Sequence, residues 1–139
     1  MFIIRAKSTT PSSSLLQMIG VVPRQIITQK RIIQARIDDD YYAVADAQID
    51  LAKLAVIERH HRTGNIGLGF VQGFDLEKGT AIASSVAHDS HNLTVAGMND
   101  MDMIISARYI SSIGGGLAVA YDKQVTASLP LPIAGLMSD

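Results

Sequence analysis

One segment of this chain carries its own start and stop signals for a helix, and the rest does not. Asn99 stands as an N-cap with Asp102 at the third helical position. Met103, Ala107, Ile110 and Gly114 then recur on one face, with Ile104 beside them. Gly114-Gly115-Gly116 stops the run. Around this helix the chain is a series of short apolar runs, out of step with a strict βαβ alternation. Strands outnumber helices. The expected fold is α+β: a mixed, largely antiparallel sheet with two or so helices packed on it. The second helix is expected through Ile66, Phe70 and Phe74, which recur at fours.

Taken in order, Phe2 to Lys7 reads as a short strand, and Ser8 to Ser14, with Pro11 inside, as a loop. Leu15 to Val22 is an apolar segment that ends at Pro23. Ile26 to Thr28 and Ile32 to Ile37 are β-branched and read as strands. Asp38-Asp39-Asp40 reads as a solvated turn in preference to a cation site. Tyr42 to Ile49 is expected as an edge strand. Leu51 to His60 fits helical spacing or a buried strand, and Val56-Ile57 favours the strand. Thr80 to Ala87 and Leu93 to Gly97 are two further strands. Leu117 to Tyr121 and Gln124 to Leu129 bracket Asp122-Lys123, which predicts a two-residue hairpin without a glycine. Pro130 and Pro132 end the regular structure.

Composition narrows the classes of function. At 139 residues, one domain spanning 1–139 is expected. Aromatics make up only 5% against 47% hydrophobic residues, so the core is aliphatic. A net charge of -1 argues against nucleic acid or an anionic membrane as the partner. The absence of cysteine excludes disulfides and thiolate metal sites. No apolar run has the length of a membrane span. The expectation is a soluble, cytoplasmic protein.

Potential chemistry concentrates between Ala83 and Asn92, where ten residues hold two histidines, one aspartate, three serines and one asparagine. Apolar residues lead in and out, so the cluster sits where one strand ends and another begins, a position at which a rigid sheet can hold a site. The candidate substrate-site or domain-contact residues are Ser84, Ser85, His88, Asp89, Ser90, His91 and Asn92, with His60 and His61 from the preceding connection. His88 and His91 are possible metal ligands, but a site needs three or four. Adjacent histidines in a strand point to opposite faces, so His60-His61 could add at most one. The alternatives are a polar loop whose side chains satisfy one another, and a surface lining another domain's pocket. A serine nucleophile with His88 and Asp89 is disfavoured, because sequence neighbours rarely have triad geometry. Gly67, Gly69 and Gly73 imitate a dinucleotide fingerprint, with Asp89 20 residues after Gly69. The last glycine spacing is wrong for it, and close packing or tight turns explain these glycines better.

Several motifs together carry a resemblance. They are Glu58-Arg59-His60-His61, Thr63-Gly64-Asn65-Ile66-Gly67-Leu68-Gly69, the whole of Ala83 to Asn92, Gly114-Gly115-Gly116, and the ending from Leu129 to Asp139. In this order, from about Ile19 onward, they resemble the C-terminal domain of bacterial adenine deaminase, an amidohydrolase. Residues 1–18 are outside the resemblance, and Arg62 stands where that family has a small residue. The resemblance implies a hydrolase that converts adenine to hypoxanthine and ammonia. Its (β/α)₈ barrel holds a metal pair, manganese or iron, through His-x-His and further ligands. This chain has no His-x-His and no room for a barrel of roughly 250 residues. The implied partner is an amidohydrolase barrel domain or subunit, in a homo-oligomer, and the metal is expected there. The His88–Asn92 loop would face the barrel mouth and help enclose the purine. A non-catalytic subunit-assembly module and an independent small-molecule or metal-binding protein are the other readings.

Overall fold

The structure, a computed structural model, describes residues 13–61 and 63–138. The strand expected over Phe2 to Lys7, most of the Ser8 to Ser14 loop, Arg62 and Asp139 lie outside them. Eight strands form one sheet: β1 (Ser13–Val21), β2 (Thr28–Arg36), β3 (Leu51–Ile57), β4 (Ile66–Gln72), β5 (Thr80–Ser84), β6 (Leu93–Gly97), β7 (Gly116–Tyr121) and β8 (Gln124–Pro130). Their spatial order is β2-β1-β4-β3-β6-β5-β7-β8. β1 and β4 run parallel, and the other neighbouring pairs are antiparallel. The α+β class and the mixed, largely antiparallel sheet are as expected.

Among the described residues there is one α-helix, α1 (Asp100–Ser112), together with a 3-10 turn over Ala47–Ile49. Asn99 caps α1 by accepting the Asp102 N–H at 2.9 Å. Asp102, itself buried, accepts the Lys123 N–H at 2.6 Å and a bond from the Asn99 side-chain amide. One carboxylate therefore joins the start of the helix to the β7–β8 turn. That turn is the expected two-residue hairpin. Asp122 and Lys123 have φ of 46° and 66°, the left-handed pair that matches strand twist, reached without a glycine.

The second expected helix is absent: Ile66 to Gln72 is strand β4. A spacing of four puts Ile66 and Phe70 on one side in a strand as well as in a helix. Gly67 and Gly69 are poor helix formers, and pairing with β3 along Ile66–Gln72 fixes the strand. Tyr42 to Ile49 is likewise not a strand. The Asp38 carboxylate accepts the Tyr42 and Asp40 N–H groups at 2.8 and 3.1 Å, and Asp46 accepts the Gln48 N–H at 3.0 Å. These local bonds draw the segment into turns, leaving single bridges at Ile37–Ala43 and Asp46–Leu51. Ile26 and Ile27 lie before β2, which takes in Thr28 of the first expected run and Ile32 to Arg36 of the second as one strand.

Strand alternation divides the sheet into two faces. Ala55, Ala81, Ala83, Leu93, Val95 and Ala118 turn to α1 and pack on Met103, Ala107 and Ile110. Further along the same face, Met18, Ala35, Leu51 and Phe70 are covered by Ile37 and Ala43 of the β2–β3 connection. The opposite face carries Leu54, Ile82 and Ala96, with Leu76 and Met98 covering only one part of it.

Candidate functional site

Three connections meet at one end of the sheet: residues 58–65 after β3, residues 85–92 after β5, and residues 131–138 after β8. Register brings them together, since Ile57 pairs with Leu93 and Ser84 pairs with both Thr94 and Leu117. A cleft of about 460 Å³ opens there beside the C-terminal turns of α1, with Ile57, Glu58, Arg59, Leu93 and Arg108 in its walls.

Two residues outside the sequence-derived candidates organise this end. The Glu58 carboxylate accepts the His61 N–H at 2.6 Å, the Thr63 N–H at 3.2 Å, the Thr63 hydroxyl at 3.1 Å, and the His60 N–H. These bonds, the His61 N–H foremost, outweigh partial desolvation and hold the carboxyl at about 2, below its ordinary 4.5. Arg59 donates Nε–H to the His91 carbonyl and Nη2–H to the Ala134 carbonyl, both at 2.7 Å. It thereby ties the 85–92 loop to the turn after β8. Gly135 completes the fit: a Cβ there would sit 2.6 Å from Arg59 Nη1, and its φ of 73° suits glycine. The only sequence signal for either residue is their place at the head of the Glu58–Gly69 motif.

Ser85 is buried and makes the third tie. Its hydroxyl donates to the Gly135 carbonyl at 2.5 Å and accepts the Gly116 N–H at 2.7 Å. It is a buried latch, enclosed away from any ligand at the surface. Ser84 bonds locally, accepting the Val86 N–H at 3.0 Å.

The tip of the loop is built differently. The backbone is held: the His91 N–H reaches the Ala87 carbonyl at 2.7 Å, and His60 Nε2 lies 3.1 Å from the Ser90 carbonyl. A carbonyl can only accept, so Nε2 of His60 carries the proton. Asp89 and His91 adopt left-handed φ of 70° and 48°. The side chains of His88 and Asp89 nonetheless stand in solvent, 95% and 90% exposed, and pair with each other at 2.9 Å. Ser90 is exposed beside them. His91 and Asn92 turn inward, and His91 Nδ1 and Asn92 Oδ1 are enclosed without a hydrogen-bond partner among the described residues. His61 faces outward, its Nδ1 3.4 Å from the Glu58 carboxylate.

The structure thus brings His60, Ser90, His91 and Asn92 to one junction and directs His88 and Asp89 away from it. No group of three or more His, Cys, Asp or Glu among the described residues is arranged to hold a metal ion. His88 and His91 gain no third ligand there, and the manganese or iron implied by the resemblance finds no ligand set in the described part of this chain. Among the described residues Ser84, Ser85 and Ser90 bond backbone groups and not a histidine ring, so no serine–histidine pair is assembled for nucleophilic chemistry. Gly67 and Gly69 lie inside β4, where no phosphate-binding turn can form. No helix among the described residues is long and apolar enough to cross a membrane.

Comparison with known proteins shows the family. Residues 25–139 match the adenine deaminase C-terminal domain family. The chain is 60% identical over 124 residues to an adenine deaminase of Oleidesulfovibrio alaskensis, covering 89% of this chain and 21% of that protein. It is 53% identical over 127 residues to adenine deaminase 2 of Carboxydothermus hydrogenoformans, covering 91% and 22%. It is 56% identical over 100 residues to an adenine deaminase of Moorella thermoacetica, covering 72% and 17%. The chain spans about a fifth of the length of these curated relatives.

Proposed function

From the chain's membership of the adenine deaminase C-terminal domain family, we propose that it serves as the non-metal-binding part of an adenine deaminase. In this reading the remaining polypeptide is a metal-bearing amidohydrolase barrel, holding manganese or iron. That metal would supply a hydroxide by lowering the pKa of bound water. The enzyme would release ammonia from adenine and leave hypoxanthine, as a cytoplasmic homo-oligomer. This chain's own residues contribute shape and polar contacts. The loop from His88 to Asn92 sits over the barrel mouth, and His88 and Asp89 offer a donor and an acceptor to the enclosed purine.

The observation that carries this is the contrast within the loop. Its backbone is tied by Arg59 and His60, while its two most polar side chains are left in solvent. Polar side chains held out from a backbone that the sheet keeps in place are what a binding loop presents. The test is a pair of substitutions, His88→Ala and Asp89→Asn, at the matching positions of a full-length relative. Catalytic efficiency on adenine is expected to fall while melting temperature stays put. Unchanged kinetics in both variants would remove the loop from the site. The chain by itself is expected to release no ammonia from adenine with manganese present, because it lacks the His-x-His ligands. Turnover by the purified chain would overturn that expectation.

A subunit-assembly role is the second reading. It is favoured by the apolar residues exposed on the face opposite α1, Leu15, Ile19, Ile32, Leu117 and Leu129 among them.

A further inference from the structure

The face of the sheet opposite α1 contains a hollow that the loop chemistry does not use. It has a volume of about 370 Å³ and is walled by Phe74, Ile82, Val86, Ala96, Leu117 and Val119, with no charged residue in its lining. Strand alternation explains the position. Ala81, Ala83, Val95 and Ala118 turn to α1, so Ile82, Ala96, Leu117 and Val119, their neighbours in sequence, turn the other way. Leu117 remains 41% exposed and Phe74, on the rim, also 41%. Exposed apolar surface of this kind marks an interaction site.

We propose that this face is where the catalytic part of the enzyme docks, with an apolar segment of it seated in the hollow between Phe74 and Val86. The proposal deepens the reading above and rests on it. Three observations fix the occupant. The relatives devote about four-fifths of their length to polypeptide outside this match, which must pack against the domain somewhere. The hollow is continuous with the candidate loop, because Val86 and Ala87 line it and His88 follows directly. A body seated there would therefore lie beside the exposed His88 and Asp89. Finally, the uncharged lining selects an apolar partner surface and offers nothing to nucleic acid or to an anionic ligand. The cleft beside α1 differs in kind, since Glu58, Arg59 and Arg108 stand in its walls, and α1 already covers β5, β6 and β7 on that side.

Covalent side-chain footprinting read by mass spectrometry tests this without relying on activity. It compares this chain alone with the full-length Oleidesulfovibrio alaskensis enzyme at the matching positions. In the isolated chain, Phe74, Ile82, Leu117 and Val119 should label readily. In the full-length enzyme their counterparts should label about tenfold less, as expected for the core of a packed interface. Met101, exposed at the start of α1, should label equally in both. Equal labelling of the open face in the two proteins overturns the proposal. Protection already present in the isolated chain, with its mass doubled in light scattering, overturns it in favour of a second copy. Val119→Asp at the matching position of the full-length enzyme should restore labelling at Leu117. Persistent protection in that variant would place the contact elsewhere. The footprint is independent of the loop's role. Protection with unchanged kinetics in the His88 and Asp89 variants would retain the docking face and discard only the loop reading.

Discussion

The two faces of this sheet are made from the same strands but from residues of different size. On the α1 side β5 presents Ala81 and Ala83 and β7 presents Gly116, Ala118 and Ala120, while β6 between them presents Leu93, Val95 and Gly97. On the other side β5 and β7 present Thr80, Ile82 and Ser84, then Leu117, Val119 and Tyr121, while β6 presents Thr94 and Ala96. Hydropathy alone would assign the larger residues to the core. On β5 and β7 the structure does the reverse, because a helix can approach a sheet closely only where the side chains beneath it are short. Gly97 shows the limit. A Cβ there would meet Met103 Cγ at 2.5 Å and the Ala81 Cβ at 2.8 Å. On β5 and β7 small residues mark the covered face, and larger, partly exposed ones mark the face left for a partner.

The sharpest way to break this comparison is to place one charge on each face. Val95→Asp buries a carboxylate beneath α1 and is expected to destabilise the chain by about 4 kcal/mol or more, read from urea unfolding. Val119→Asp on the open face should cost only about 1 kcal/mol in the isolated chain, mainly from lost strand propensity. Equal losses would show that the two faces are equally enclosed.

Gly97→Ala tests how tightly the helix is seated. It adds one methyl between Met103 and Ala81, and overpacking there should cost about 1–3 kcal/mol. A neutral result would mean that α1 can shift outward.

The contrast between enclosed and open positions extends to the loop end. Ser85→Ala leaves the Gly116 N–H and the Gly135 carbonyl without their buried partner and should cost about 1–3 kcal/mol. His88→Ala, three residues on and in solvent, should change stability by less than about 0.5 kcal/mol.

The smallest effect is a local one, at Glu58. Its carboxyl is held at about 2 in the folded chain against an ordinary 4.5. A depressed carboxyl stabilises the folded state fully above the higher value, and the contribution fades as pH falls from 4.5 toward 2. The His61 and Thr63 amide resonances should therefore titrate together near pH 2, and Glu58→Gln should abolish that transition. Titration of these amides near 4.5 in the unaltered chain would mean that the carboxylate is not bonded to them.

Much of this was legible in the chain itself, wherever the cause is local. The bounds of α1 follow from Asn99, Asp102 and the three glycines after it, because caps and stops act within a turn of backbone. The hairpin at Asp122-Lys123 and the turn at Asp38-Asp39-Asp40 follow for the same reason. The Ala83–Asn92 segment announced itself by composition as a junction of two strands. Tertiary structure alone decided the rest. Ile66 and Phe70 share a side in either a helix or a strand, and pairing with β3 settled the matter. Tyr42 to Ile49 looked like a strand but became the cover over Phe70. Ser85 and His88 stand three apart in one polar run, yet one is sealed beneath the turn after β8 and the other is open to solvent. Arg59 reaches carbonyls 32 and 75 residues away, at His91 and Ala134. Spacing in sequence carries no record of such contacts, because burial and long-range hydrogen bonds depend on which segments the sheet sets side by side.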